Sequence, residues 1–349
     1  MRKGLPEYIR FGREVCCDLV EAERREWYIA NGAGGYAAGT IAGTLTRRYH
    51  GLLIAPLKKP LGRFLVFAKA DASLTDGRSA WPLFSNRWGG GALQPAGHLN
   101  IESFRLEGRM PVWTFAFNDI KVEARVWMEH GANTTYIAYR LLSGSLEGLR
   151  LDVDILVNAR DYHGNARPGD FDPFIKADRD RLRVAFENDI NLYFRATGGS
   201  IEAKRVWIED FDLPAERERG LADSDNHLCV GKAHLSLRAG EWTGITLSLD
   251  DDSPADLESS MLRFLGRDID LLKQAKASSP ELKRAPLWID NLILASDSFL
   301  FARPLEGIAD GESVIAGYPW FRGLGTGYHD SPARFDAGDG PPRQRPQDT

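Results

Sequence analysis

The stretch EWYIANGAGGYAAGTIAGTLTRRYHGLL, residues 26–53, decides how the rest of the chain is read. Gly32, Gly34, Gly35, Gly39 and Gly43 lie between two apolar, strand-like runs, and Tyr36 follows the glycine pair. Arg47, Arg48, Tyr49 and His50 then stand side by side. Glycine at this density implies tight turns or close backbone approach. No acid occurs between Glu26 and Asp71, so the loop is expected to meet its surroundings through backbone amides and positive charge. The string GAGGYA formally matches a dinucleotide fingerprint, but that motif needs a helix after the glycines and an acid about 20 residues on. The acid is missing and the following run is strand-and-turn material. This disfavours a nucleotide-binding oxidoreductase. Two guanidiniums, a phenol and an imidazole suit either polyhydroxyl or carboxylate ligands, or bidentate anchoring of one domain to another.

Outward from this stretch the chain reads as strands to about residue 250. VWTFAFND, KVEARVWMEH, TTYIAYRLLS, LRLDVDILVNAR, RLRVAFEND, INLYFRAT and HLCVGKAHLSLRAG follow at short intervals. Several alternate, with Val122, Ala124, Val126 and Met128 against Lys121, Glu123, Arg125 and Trp127, as half-buried strands do. Many strands without intervening helices predict a large antiparallel β-sandwich. Acids such as Glu123, Glu129, Asp152 and Asp154 are expected on solvent faces, and the scattered histidines on surfaces or strands. Most of the nine tryptophans are expected in the core, although an aromatic face also suits a pyranose.

Near Ser253 the pattern changes. Leu257, Met261, Leu265, Ile269 and Leu272 recur at helical spacing. A second helix, apolar nearly all round, is expected over about 286–302, as in a helix buried within a larger helical domain. VIAGYPWF follows at 314–321. Beyond it the chain is rich in Gly, Pro, Arg and Asp without periodicity, which predicts disorder.

The net charge of −5 argues against a nucleic-acid binder. No apolar run reaches the roughly 20 residues of a membrane span, and the N-terminus lacks a signal-peptide core. Cytoplasm is therefore the expected location. Cys16, Cys17 and Cys229 have no metal-type spacing. No metal and no cofactor are expected. The residues by themselves display no active site, and the oligomeric state is open.

Two separated motifs carry a resemblance. EW..NG.GGYA.GT..G..TRRYHGLL at 26–53, continued by LGRFLVFAKADASL at 61–74, is similar to the N-terminal domain of the bacterial and archaeal type of glycogen debranching enzyme (amylo-α-1,6-glucosidase). VIAGYPWF at 314–321 resembles the start of that family's catalytic domain. The resemblance implies a β super-sandwich followed by an (α/α)6 barrel, which removes the glucose left at an α-1,6 branch point. Such chemistry uses one carboxylic acid to protonate the leaving oxygen and a second carboxylate to activate water. The resemblance puts both in the barrel, beyond residue 321. It implies glycogen or a branched α-glucan as partner, and places Tyr318 and Trp320 near the sugar site. It also makes Gly34, Gly35, Tyr36, Arg47, Arg48, Tyr49 and His50 a domain interface or substrate rim, with no catalytic residue assigned.

After GYPWF the family continues approximately as ADWGRDTMI, whereas this chain reads RGLGTGYHDSPARFD. Codons for residues 324–336 can be chosen that, read one base later, encode WGRDTMIRLPGL. The expected organisation is a β-sandwich at 1–252, a linker helix at 253–282, the opening of an incomplete barrel at 283–321, and an out-of-frame, disordered tail at 322–349. A truncated glucosidase of this kind would be inactive. The alternative is a non-catalytic glucan-binding or interaction module.

Overall fold

The computed structural model describes residues 5, 7–58, 61–144, 148–187, 189–254, 256–302, 311–315 and 317–318. Trp320 and the segment 322–349 lie outside the described residues.

The protein is mainly β, as the strand alternation predicts. One sheet has nine strands in the order β1 (Arg10–Gly12), β9 (Ile101–Glu107), β10 (Met110–Phe117), β11 (Ile120–Met128), β12 (Thr134–Ser143), β19 (Thr243–Ser248), β16 (Asn191–Thr197), β15 (Arg181–Ala185) and β14 (Phe174–Asp178). The second runs β17 (Gly199–Asp212), β18 (Ser224–Ser236), β13 (Arg150–Asp161), β5 (Gly62–Thr75), β4 (Gly51–Lys58), β3 (Tyr36–Thr40) and β2 (Glu26–Ala30), with β6 (Ala80–Pro82) on β5. Two small ribbons pair β7 (Ser85–Arg87) with β8 (Leu93–Ala96) and β20 (Leu300–Ala302) with β21 (Glu312–Val314). Apolar residues from both large sheets share one core, including Phe67, Val153 and Ile155 from one and Val122, Ile137 and Ile245 from the other. The long strand β17 escaped the sequence reading because most of its side chains are exposed, leaving little apolar alternation.

The helices are α1 (Arg13–Cys16), α2 (Leu19–Glu23), α3 (Pro214–Arg217), α4 (Leu257–Ser278), α5 (Pro280–Arg284) and α6 (Trp288–Asp297). Asp256 caps α4 by accepting from the Ser259 amide at 2.6 Å. The helix then lays Leu257, Met261 and Leu265 on Met110, Val112, Trp127, Tyr136 and Ala138, the outer face of the nine-stranded sheet. This corrects the expectation that Glu123 lines a solvent face. Trp127 is buried, and its indole N–H donates to Ser260 Oγ at 3.2 Å. Glu123 is buried among Arg105, Arg125 and Arg140 at 2.8, 2.9 and 3.1 Å. Strand periodicity separates apolar from polar faces but does not reveal a helix and a set of counter-charges covering the polar one.

The helix expected over 286–302 is shorter, and residues 300–302 form a strand. It is also not buried all round. Asp290 and Leu294 are its buried residues, while Leu287, Trp288, Leu292 and Phe299, in and beside it, are exposed. Charge holds it in place. Arg109, in the turn between β9 and β10, binds Asp268 of α4 at 2.6 Å and Asp297 of α6 at 2.8 Å. Lys276 binds Asp290 at 2.7 Å. Much of the apolar surface of α6 is thus open, and charge ties the helix to α4 and to the β9–β10 turn. Among the described residues no helix is long and apolar enough to cross a membrane.

Candidate functional site

The glycine-rich turn at 31–35 is built on one side chain. Asn31 Oδ1 accepts from the amides of Ala33 and Gly35 at 2.9 Å each, and its Nδ2 donates to Ala132 O at 2.9 Å. Gly34 has φ +88°, and a Cβ there would stand 2.6 Å from Leu61 Cδ1 and 3.5 Å from Phe301 Cδ2. Glycine is needed for both reasons. The chain continues into strand β3, not into a helix, so no helix N-terminus is available for a phosphate. The turn instead meets residues far along the chain: the Ala302 amide donates to Gly32 O at 2.8 Å, and Leu61, Phe301 and Ile315 form a small apolar cluster beneath Tyr318.

The structure separates the four residues 47–50. Arg48 is buried and points away from the turn. Its Nε lies 3.4 Å from Glu216 Oε2, one terminal nitrogen donates to Ala222 O at 3.1 Å, and the other to His163 O. Arg47 reaches Glu26 at 2.6 Å. His50 Nε2 lies 3.4 Å from the same carboxylate oxygen, and its Nδ1 accepts from the Thr46 amide at 3.2 Å. Tyr49 is buried and hydrogen-bonds His163 Nδ1 at 3.0 Å. The expected bare positive charge is corrected, because acids distant in sequence, Glu26 and Glu216, fold onto it.

Tyr36 and Tyr318 do come together. Tyr318 lies 4.5 Å from the Tyr28 ring and 5.5 Å from the Tyr36 ring, centroid to centroid. Beneath them is Arg63, fully buried, its Nε donating to Gly34 O at 2.9 Å and its guanidinium 5.0 Å from the Tyr318 ring centroid. Burial pushes the phenols of Tyr28, Tyr36 and Tyr318 upward, so they stay neutral. Arg63 and Tyr28 were not singled out from the sequence. The one available signal was a lone cation inside the apolar run LGRFLVF.

Tyr28 and Tyr318 open onto a cleft of about 520 Å³ between the 26–53 segment and α6, with Tyr36 and Arg63 buried behind them. Glu26, Trp27, Tyr28, Tyr49, His50 and Tyr318 line one side, and Leu292, Leu294, Ala295 and Phe299 line the other. Gly34, Gly35, Arg47 and Arg48 support the wall without lining the cleft. Glu26 is the one carboxylate among its described lining residues. Burial works against its ionisation, but His50 and Arg47 outweigh that and hold the carboxyl down at about 2. An acid this strong is a fixed acceptor for hydroxyl groups and a poor proton donor near neutral pH. Among its described residues the cleft therefore offers aromatic faces and a permanent carboxylate, without a second carboxylate in a paired acid–base arrangement.

Comparison with solved structures gives a bacterial glucoamylase complexed with acarbose, at 11% identity and a TM-score of 0.39, covering 86% of this chain and 42% of that one. Heparinase III follows at 9% identity and a TM-score of 0.29, covering 50% of this chain and 22% of that one. The chain spans less than half the length of either protein. Comparison with curated sequences returns no significant match. The sequence profile described as glycogen debranching enzyme N terminal matches residues 25–243, which takes in the glycine-rich turn, the 47–50 cluster, the whole second sheet and all of the nine-stranded sheet except β1 and most of β19. The chain belongs to the glycogen debranching enzyme N-terminal family.

Proposed function

We propose that this chain is the N-terminal part of an α-1,6-glucosidase acting on the branch points of glycogen or a related α-glucan. The family match over residues 25–243 carries this reading. The aromatic cleft supports it, since Tyr28, Tyr318 and Phe299 offer faces of the kind on which pyranose rings stack. In this reading residues 1–252 form the sandwich, 253–282 the linker and 283–321 the opening of an (α/α)6 barrel. Tyr318 and Trp320 belong to the sugar site. Tyr36 and the 47–50 cluster shape the sandwich wall that the barrel packs against, and Gly34 and Gly35 shape the turn beside it.

Glycoside hydrolysis needs two carboxyl groups flanking the scissile bond. The reading assigns neither to residues 1–321 and takes 322–349 as read out of frame. The chain is then expected to bind glucan without cleaving it. The nucleotide sequence after the Phe321 codon tests the frame: absence of a barrel-like reading frame there would exclude the shift. Co-sedimentation with glycogen, run beside glucose release from a branched dextrin, tests the activity. Binding that falls about tenfold in Tyr318→Ala, with no release, is expected. Release that disappears on mutating Trp320 would show that this chain is itself catalytic. Binding unaffected by Tyr318→Ala would move the glucan site away from the cleft.

A further inference from the structure

The far end of the nine-stranded sheet, remote from the aromatic cleft, carries a second feature that the glucosidase reading does not use. On its outer face the strand register sets Lys176 opposite Arg183, and Arg181 between Arg195 on one side and Asp178 on the other. Like charges placed directly across neighbouring strands destabilise a sheet. Among the described residues none of the four forms a salt bridge. Arg183 makes a hydrogen bond to Asn191 at 3.0 Å and lies 5.9 Å from the Tyr193 ring centroid. A chain of net charge −5 thus gathers four cations on one small area.

That area is a groove of about 190 Å³. Its floor is Thr246 and Ser248, which the register places beside Arg195 and Tyr193. Asp250 and Asp251 stand at one end, before α4 begins, and Asp178 at the other. Ser248 Oγ is engaged by Thr134 at 2.8 Å and Ser253 at 2.6 Å. Thr246 is different. It is 3% exposed, and its hydroxyl has no hydrogen-bond partner in the structure. A buried hydroxyl left without a partner is costly, so an orphan hydroxyl on the floor of a polar groove marks a position for a ligand oxygen.

We propose that this groove binds a small polyhydroxylated oxyanion, with a phosphorylated hexose as the representative ligand. Arg181 and Arg195 supply planar donors for the oxyanion, and Lys176 and Arg183 add charge. Tyr193 offers a face for the ring carbons. Thr246, Asp250 and Asp251 pair with sugar hydroxyls. Bound anion relieves the repulsion between Lys176 and Arg183, which has no acid across the strands, and the part of the Arg181–Arg195 repulsion that Asp178 leaves. A neutral glucan adds no counter-charge to either pair.

Calorimetric titration of the full chain with glucose 6-phosphate, glucose and inorganic phosphate tests the assignment. Glucose 6-phosphate is expected to bind at least tenfold more tightly than either of the others, and more weakly as salt is raised. The double variant R181Q/R195Q should lose at least tenfold in affinity, and Thr246→Val several-fold. Removing a like-charge pair should leave the fold intact or raise its denaturation midpoint, so a loss of binding at an unchanged midpoint supports the site. No binding by the wild type, equal binding of glucose or of inorganic phosphate, or full affinity in R181Q/R195Q would each overturn it.

Discussion

His227 offers a direct test of how charge is handled inside the second sheet. It lies on β18, fully buried, with Nδ1 2.9 Å from Asn158 Nδ2 and Nε2 3.8 Å from Asp225. Asn158 Nδ2 can only donate, so Nδ1 is the acceptor and the ring is the neutral Nε2–H tautomer. Burial is the main force lowering its pKa. Arg160 and Lys69 add to it, Asp225 opposes, and the result is a fall from 6.5 to about 4. The folded protein therefore holds this proton less firmly than the unfolded chain. The resulting stability is complete above pH 6.5 and is lost as pH falls toward 4. At 1.36 kcal/mol per pKa unit the full loss is about 3 kcal/mol, with a slope near 1.4 kcal/mol per pH unit inside the window. Urea denaturation between pH 4 and 7.5, comparing wild type with His227→Gln, isolates the effect, because glutamine retains an acceptor for Asn158 and cannot titrate. The variant's stability should decline less steeply over that window. Parallel profiles, or an NMR titration midpoint for His227 near 6.5, would refute the reasoning.

Three further outcomes are expected. Arg48→Met should lower unfolding stability by about 3–5 kcal/mol, because it strips a partner from the buried Glu216 carboxylate; denaturant titration at neutral pH measures this. Trp127→Ala, under the first turn of α4, should cost about 3–5 kcal/mol and make the 250–285 segment the first site of limited proteolysis. The exposed Leu287, Trp288, Leu292 and Phe299 should bind a hydrophobic dye and promote self-association. Trp288→Gln with Leu292→Gln should abolish both at unchanged stability.

Much of the fold was legible because burial leaves a periodic trace. Alternation in β11 and the short strand-like runs of β12 and β13 pointed to strands, and the spacing of Leu257, Met261 and Leu265 pointed to α4. The same reasoning failed on β17, whose exposed side chains carry little alternation, and overextended α6, because an apolar run reads alike whether covered or bare. At the candidate site Tyr36, Tyr49, His50 and Tyr318 were picked out and do gather around the cleft or its wall. Arg63 and Glu26 were not. A buried arginine under three tyrosine rings looks in sequence like any cation on a strand, and Glu26 acquires its role only when residues 47 and 50 return to it.

Residues 26–53, with the motifs at 61–74 and 314–321, were enough to point to the family, and their glycines to require a tight turn, because Gly34 stands where neither a Cβ nor an ordinary φ is tolerated. They were not enough to say what the Arg47–Arg48 pair would meet. Its partners come from residues 26, 163, 216 and 222, brought together when β2 folds beside β3 and the turn carrying α3 closes over them. Backbone constraints are local and can be read along the chain. Neutralisation of a charge depends on which distant group is delivered to it, and only the packed sheets and helices determine that.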